Sequence, residues 1–455
     1  AVCGGAAFAG SQVVTAVNYA AEAITNTTSV TLPAVKLNMG IGRTSAQDFT
    51  IVVKPVSSSS KFSAASCTTA LPVFATTNGT GTATVTVKRA SSDECAYEVD
   101  VTNGFLATDT TNLTLTGLVM TNHSLGTVGT TESIKTGVWD LGETARIDNS
   151  ADLTNAVGTS QYGVTLTAAA DTGTKANVDD TAGPLFGFVA ANGDLANAAE
   201  ASFVVNINNS LKIADGSTAF SNADVNSIAF TVTGDFDGLN TNFAAGAAGS
   251  QLNVVGFADP TVTYTAAGAS STATFTVANT SLAVSGDTTI NLKLESLKTK
   301  SLGTSRVFGV SAVVDPQLAG VANVSLAGNS SWWTWGANAI ELRSAFFNND
   351  ASGGNFTRFF FQNTGSSAVT YTAVCQAETG VTATTGSKAS GSLIANGTTA
   401  MDAADVCTFS SGKRGSVTFT INAPAGKVKG VYQQAVNGLS AGYIPLERPY
   451  GASTY

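Results

Sequence analysis

Charged residues are scarce in this sequence: they make up 12% of its 455 residues, against about 25% in a typical soluble domain. The surface must therefore consist mainly of Thr, Ser, Asn and Gly, which favour lateral packing against other molecules. The net charge is −9, and no basic cluster is longer than Lys88–Arg89 or Lys413–Arg414. We expect no nucleic-acid partner, because neutralising phosphates needs a basic face. No apolar run approaches the roughly 20 residues of a membrane-spanning helix.

Histidine is almost absent, since His123 is the only one in the sequence. A Ser-His-Asp or Cys-His site would have to use it, and no nucleophile motif accompanies it. The acidic pairs Asp93–Glu94 and Asp179–Asp180 are neighbours on loops, whereas glycoside hydrolysis needs two carboxyl groups on either side of a cleft. We therefore expect a protein that is not an enzyme and that requires no cofactor.

Cysteine is limited to five residues, and four of them form two close pairs in sequence. We predict disulfides Cys67–Cys95 and Cys375–Cys407, although spacing alone leaves other pairings open. Disulfides indicate an oxidising compartment. The first residue is Ala1 instead of Met, as after removal of a signal peptide. We expect a secreted protein, at the cell surface or outside the cell, in which Cys3 is either a free buried thiol or bonded within or between subunits.

Strand patterns dominate the chain. Segments such as Thr82–Lys88 and Ser416–Asn422 alternate Thr with Val or Phe at a period of two, and Asn-Gly and Asp-Gly turns separate such segments. The sequence therefore predicts an all-β protein of about three immunoglobulin-like β-sandwich domains. The predicted division is an N-terminal segment (1–23) that could serve as an assembly strand, domain 1 (24–148), a connecting region (149–200), domain 2 (201–316) and a C-terminal domain (317–455).

Domains 1 and 2 are predicted to be a duplicated pair, because four segments recur in the same order. The matched segments are Phe49–Val53 with Phe230–Gly234, Thr82–Val87 with Thr272–Val277, Asn112–Leu118 with Asn291–Leu297, and Ser124–Thr127 with Ser301–Thr304. Accordingly, Phe49, Val85 and Leu113 should occupy the places of Phe230, Phe275 and Leu292.

A candidate calcium site lies in the sequence GDFDGLN, where Asp235, Asp237 and Asn240 surround Gly238. Oxygen-bearing side chains beside a tight glycine turn can wrap a hard cation, but the spacing differs from that of an EF-hand loop. A solvated hairpin turn is the alternative.

Three tryptophans, Trp332, Trp333 and Trp335, lie within SWWTWGAN. Adjacent strand residues point to opposite faces, so Trp333 and Trp335 should share one face and Trp332 the other. Three interpretations stay open: both faces are covered within the domain, one face contacts another subunit or domain, or the indoles form a platform for sugars. Together with Cys3, these are the candidate interface residues.

The segment Phe356–Pro449 contains FTRFFFQNTGSSAVTYTAVC and KRGSVTFTINAPAGKVKGVYQQAVNG. It resembles the immunoglobulin-like sandwich repeats of bacterial surface proteins. The acidic, Thr/Ala/Gly/Val-rich composition is also similar to that of surface-layer proteins. This resemblance implies two-dimensional arrays of identical subunits, often held together by Ca²⁺.

We therefore expect a structural subunit of a self-assembling extracellular polymer, either a surface layer or a filament, whose partners are copies of itself. In a filament, a strand from the N-terminal segment could pair with the edge of a neighbour's sheet. The alternative is a cell-surface adhesin or glycan-binding protein with a concave polar pocket next to Trp332–Trp335, and its partners would be glycans.

Overall fold

The computed structural model describes residues 10–38, 42–75, 81–105, 112–147, 152–177, 185–189, 195–196, 198–239, 252–255, 262–265, 271–303, 305–348, 354–410, 414–424, 426–437 and 439–447. Nearly all regular structure in these ranges is β-strand, which confirms the all-β class. The helices there are short: α1 (Ala64–Thr69), α2 (Ala403–Val406) and three 3-10 turns, Ala21–Ala23, Asn222–Asp224 and Asn279–Ser281.

Three large hydrophobic cores divide the strands into a first unit (residues 10–161), a second unit (162–337) and a C-terminal unit (338–447). In the first unit the strands are β1 (Ser11–Val14), β2 (Val17–Ala20), β3 (Val30–Thr31), β4 (Val35–Asn38), β5 (Phe49–Pro55), β6 (Lys61–Phe62), β7 (Val73–Ala75), β8 (Thr82–Ala90), β9 (Cys95–Asn103), β10 (Asn112–Leu115), β11 (Val119–Asn122), β12 (Thr131–Asp140) and β13 (Leu153–Gln161). They form the sheets β1-β4-β10-β7, β2-β13-β12-β5-β9-β8 and β3-β11-β6. Leu37 and Leu113 from the first sheet share one core with Ile51 and Tyr97 from the second, so the unit is a β-sandwich.

The second unit is a sandwich of the same kind. Its strands are β14 (Val164–Thr167), β15 (Lys175–Asn177), β16 (Gly187–Val189), β17 (Leu195–Ala196), β18 (Ala198–Ile207), β19 (Val225–Gly234), β20 (Leu252–Val255), β21 (Val262–Thr265), β22 (Ser271–Ala278), β23 (Gly286–Glu295), β24 (Ser305–Pro316) and β25 (Val324–Ala337). The sheet orders are β14-β18-β23-β20 and β17-β16-β15-β25-β24-β19-β22-β21.

The first two units share one topology. The sheet β1-β4-β10-β7 corresponds to β14-β18-β23-β20, and the sheet β2-β13-β12-β5-β9-β8 corresponds to β15-β25-β24-β19-β22-β21. Equivalent strands follow one another in the same order along the chain, and both β2–β13 and β15–β25 are parallel pairs. An identical arrangement of ten strands, including this parallel pair, agrees with the predicted duplication.

Only part of the predicted residue matching fits this topology. Phe49 and Phe230 lie on the equivalent strands β5 and β19, and Leu113 lies on β10, which is equivalent to the β23 strand of the second unit. The match of Val85 with Phe275 is wrong, because β8 is equivalent to β21 and β22 is equivalent to β9. Alternating Thr and Val suits any half-buried strand, so the same letters recur in strands that are not equivalent.

The C-terminal unit is a third sandwich. Its strands are β26 (Ile340–Arg343), β27 (Phe347–Asn348), β28 (Phe356–Asn363), β29 (Val369–Ala377), β30 (Ala383–Thr385), β31 (Ser390–Leu393), β32 (Gly397–Asp402), β33 (Cys407–Phe409), β34 (Arg414–Ile421), β35 (Val428–Val436) and β36 (Leu439–Pro445). The two main sheets are β26-β34-β29-β31 and β32-β28-β35-β36, and both contribute to one core.

Two of the predicted domain boundaries differ from those in the structure. Residues 149–200 are not a connector, because they contain β13 of the first unit and β14 to β17 of the second. The predicted start of the C-terminal domain at 317 is also wrong, since β25 pairs with β24 over eight registered positions. In each of the first two units the last strand follows a loop and returns to the same sheet, a connection that composition does not reveal.

The N-terminal segment joins the first two units. The backbone N–H of Ala20 donates to the carbonyl of Lys212 at 3.0 Å, and that of Thr31 donates to the carbonyl of Ala214 at 2.9 Å. β1 and β2 pair with β4 and β13 of the same chain. The predicted role of residues 1–23 as a strand donated to another subunit is therefore wrong for residues 11–20. Residues 1–9, with Cys3, lie outside the described residues.

A buried carboxylate completes this junction. Glu22 is fully buried and accepts hydrogen bonds from the backbone N–H groups of Gly163, at 2.8 Å, and Val164, at 3.2 Å. Burial raises the pKa of Glu22, and these two hydrogen bonds act in the opposite direction. Glu22 thus satisfies two donors at the start of β14, where the chain enters the second unit.

We predict that Glu22→Ala destabilises the junction by about 2 kcal/mol or more, because two buried N–H groups lose their acceptor. Glu22→Gln retains one acceptor oxygen and should recover part of the loss. Chemical unfolding followed by circular dichroism gives the size of the effect, and amide hydrogen exchange at Gly163, Val164 and Lys212 gives its location. Unchanged exchange at these amides in Glu22→Ala would contradict the assignment.

Candidate self-association surface

The three tryptophans lie in the core of the second unit. Trp332, Trp333 and Trp335 are each 0% exposed. The Trp332 indole N–H donates to the carbonyl of Ser202 at 2.8 Å, and that of Trp333 donates to the hydroxyl of Thr174 at 2.9 Å. Both faces of β25 are thus covered within the unit at the tryptophans, and the prediction that these residues contact another subunit is wrong.

The surface next to these tryptophans is a shallow depression of about 420 Å³, lined in part by Asp235, Arg306 and Ser330. The indoles do not contribute to this lining. The indoles of Trp332, Trp333 and Trp335 therefore have no exposed ring face on which a sugar could stack.

The candidate calcium ligands Asp235 and Asp237 have basic partners. Arg306 approaches Asp235 at 3.5 Å and donates to its backbone carbonyl at 2.7 Å, and Lys300 forms an ion pair with Asp237. The hydrogen bond from Lys300 lowers the pKa of Asp237. These side chains supply the positive charge that a calcium ion would otherwise bring. The third ligand, Asn240, lies outside the described residues.

No group of three or more His, Cys, Asp or Glu side chains is placed to hold a metal ion in the part of the chain that the structure describes. Calcium binding at this site, without calcium being required, stays a prediction.

Both predicted disulfides are present. Cys67–Cys95 joins α1 to β9, with 5.4 Å between the Cα atoms, and Cys375–Cys407 joins β29 to β33, with 5.8 Å. Each links two elements within one sandwich and lies at its core.

His123 is buried and hydrogen-bonded inside the first unit. Its side chain is buried, its Nε2 lies 2.8 Å from the carbonyl of Thr28, and its Nδ1 accepts the N–H of Leu125 at 3.2 Å. These partners fit the neutral imidazole with its proton on Nε2. Burial lowers the pKa of His123, while the Thr28 bond and the charge of Glu132 oppose this.

We predict that His123 makes the first unit acid-sensitive. Since its folded pKa is lowered, only the unfolded chain binds the proton as the pH falls below about 6.5, and stability falls with pH in that range. At pH 7.5, His123→Gln should have a lower free energy of unfolding than the wild type, because the substitution removes the imidazole that contacts Thr28. Its free energy of unfolding should change less between pH 7.5 and 5.5. Urea unfolding across this range measures both slopes, and equal slopes would contradict the prediction.

The C-terminal unit leaves apolar side chains on the outside of one sheet. Along β28, Thr357, Phe359 and Phe361 are buried, while Phe356 is 44% exposed and Phe360 partly exposed. This alternation follows from the strand period of two: three consecutive phenylalanines cannot all point inward. The sequence therefore already indicated that at least one of them faces outward.

Neighbouring strands extend this face. Val431 of β35 lies opposite Phe360, and Tyr443 of β36, which is 64% exposed, contacts Phe360 with 5.8 Å between ring centroids. We call Phe356, Phe360, Val431 and Tyr443 the aromatic face. Arg358, which forms an ion pair with Asp402 at 2.7 Å, points to the same side between Phe356 and Phe360.

The opposite sheet of the same unit shows the contrast. Its outer side carries Thr370, Thr372 and Ser416, with Val374 as an isolated exposed apolar residue. The aromatic face is therefore a property of one sheet and not of the whole unit.

A sheet edge borders the aromatic face. Among the described strands, β36 pairs only with β35, so it is an edge strand of its sheet. β36 contains no charged residue, and its Leu439 is 76% exposed. Charged residues are a common protection of edge strands against pairing with other molecules, and they are missing from this strand.

No protein-family model matches the sequence, and no curated protein matches it. Solved structures with similarity include the C-terminal domain of the Streptococcus agalactiae antigen I/II polypeptide BspA, at 10% identity, covering 72% of this chain and 100% of that chain with a TM-score of 0.24. BcpA, the major pilin subunit of Bacillus cereus, matches at 8% identity over 83% of this chain and 94% of that chain, with a TM-score of 0.23. The collagen adhesin of S. aureus matches at 12% identity over 71% and 95%, with a TM-score of 0.19.

TM-scores this low establish no shared function. No helix among the described residues is long and apolar enough to cross a membrane.

Proposed function

We propose that this chain is a structural subunit of an extracellular polymer, a surface layer or a filament, and that copies associate through the aromatic face and the β36 edge. The observation that supports this most directly is the contact between the exposed Tyr443 and the partly exposed Phe360, with Phe356 exposed farther along the same side of β28. Contiguous exposed apolar patches on a secreted protein commonly mark interaction sites.

The surrounding chemistry suits a contact between proteins. Large aromatic side chains are favoured anchors at the centre of an interface, and an unpaired strand edge can add a neighbour's strand by backbone hydrogen bonds. Few charges on the chain as a whole reduce the repulsion between copies at close approach. The two disulfides favour an oxidising location outside the cytosol.

We predict that the double variant Phe360→Ser/Tyr443→Ser weakens self-association about tenfold or more, because it removes two aromatic anchors worth about 1 kcal/mol or more each. Val374→Ser removes an apolar side chain from the opposite sheet of the same unit and serves as the matched control. Sedimentation velocity over a micromolar concentration series, with electron microscopy of the assemblies, measures the effect.

Circular dichroism should show that both variants stay folded, because Tyr443 and Val374 are exposed and Phe360 is partly exposed. A wild-type chain that stays monomeric at the highest concentration would defeat the proposal. So would equal association of the double variant and Val374→Ser.

A further inference from the structure

Charge is concentrated on the outer side of the large sheet of the first unit. In a chain with few charged residues, eight of them form connected ion pairs there: Lys54, Lys88, Arg89, Glu94, Lys135, Glu143, Arg146 and Asp152. Glu98 and Asp100 of β9 also point to this side, because they alternate with the core residues Tyr97, Val99 and Val101. Five basic and five acidic side chains therefore lie on this face, close to charge balance.

A cavity of about 250 Å³ lies within this cluster. It is lined by Val52, Lys54, Lys135, Trp139, Glu143 and Asp152. Gly137, on β12 between Lys135 and Trp139, lets the side chains of Arg146 and Asp152 lie directly over the sheet, since a Cβ atom there would be 3.0 Å from both. Glu143, shortly after β12, and Asp152, directly before β13, supply the acidic wall.

Two lysines on the cavity floor oppose each other. Lys54 and Lys135 are directly paired across the β5–β12 ladder. Like charges in this position destabilise a sheet, so the pair needs a compensating anion. Lys54 forms an ion pair with Glu94 at 2.9 Å. The acidic partner of Lys135 is Asp152, which is farther away, at 3.7 Å, and also pairs with Arg146.

Glu143, one of the two acidic residues that line the cavity, keeps its charge. Arg89 donates two hydrogen bonds to Glu143, at 2.6 and 2.7 Å, and these lower the pKa of Glu143. An ionised carboxylate only accepts hydrogen bonds, whereas a lysine only donates them. A ligand that fills this cavity must therefore bring an anionic group for the lysines and hydroxyl donors for the carboxylates.

We propose that this cavity binds an acidic saccharide of the uronic-acid type. Its carboxylate lies between Lys54 and Lys135, its hydroxyls donate to Glu143 and Asp152, and its ring packs against Trp139. Arg146 lies 5.1 Å from the Trp139 ring centroid and fixes the orientation of the indole. This inference is independent of the proposed self-association, because the site and the aromatic face lie in different units.

The test uses a defined probe, an oligogalacturonate of four residues, with a neutral galactose oligomer of the same length as comparison. Isothermal titration calorimetry should show saturable binding of the acidic oligomer and at least tenfold weaker binding of the neutral one. Trp139 is the one tryptophan of the chain that is not fully buried, so quenching of tryptophan emission should accompany binding and should be lost in Trp139→Phe.

Lys135→Gln should weaken binding at least tenfold, and Lys135→Arg should retain most of it. Lys388→Gln, which removes an exposed lysine paired with Asp405 in the C-terminal unit, is the matched control and should bind like the wild type. Circular dichroism confirms that each variant is folded.

Three results would overturn the proposal: no saturable binding of the acidic oligomer, equal affinity for the neutral oligomer, or equal affinity for a glutamate tetrapeptide. The last result would assign the cavity to acidic peptides. Sedimentation of the Lys135→Gln variant should be unchanged, which separates a failure here from a failure of the self-association proposal.

Discussion

Every strand in a sandwich has two faces, and the outer face of each large sheet must be either covered or made polar. The three units meet this constraint in three ways. In the first unit, an ionic cluster and the loop after β12 lie over the sheet. In the second, the residues around β15 and β16 bury the side chains of Trp333 and Trp335, which pack with Phe188 and Phe308. In the C-terminal unit the aromatic face is left exposed, and there we propose that another copy supplies the cover.

The first two units also show how a shared topology can diverge in its chemistry. Equivalent strands keep their order and pairing, while the side chains on the outer side change from charged to aromatic. The disulfide Cys67–Cys95 belongs to the first unit alone. Backbone pairing therefore constrains these units more strongly than the identity of the residues that face outward. The consequence is that the same sandwich carries a polar cavity in one unit and a closed aromatic core in the next.

Sequence reasoning recovered the features that depend on local pattern. Alternation of Thr with Val or Phe predicted the strands, and short spacing predicted both disulfides. It failed where the outcome depends on distant strands. The tryptophans were expected at a domain start, but β25 returns to the sheet of β24 and buries them. The cavity was missed because Lys54 and Lys135 are far apart in sequence and meet only through the β5–β12 register. The outward position of Phe360, in contrast, follows from three consecutive phenylalanines on a strand.

The parallel pair β2–β13 has a mechanical consequence. It joins a strand from the start of the first unit to the last strand of that unit, over four registered positions from Val17 to Ala20. If the chain is pulled from its two ends, these strands are drawn in opposite directions along their own axes. Their hydrogen bonds then carry the load together instead of opening one after another, so this edge resists stretching in shear.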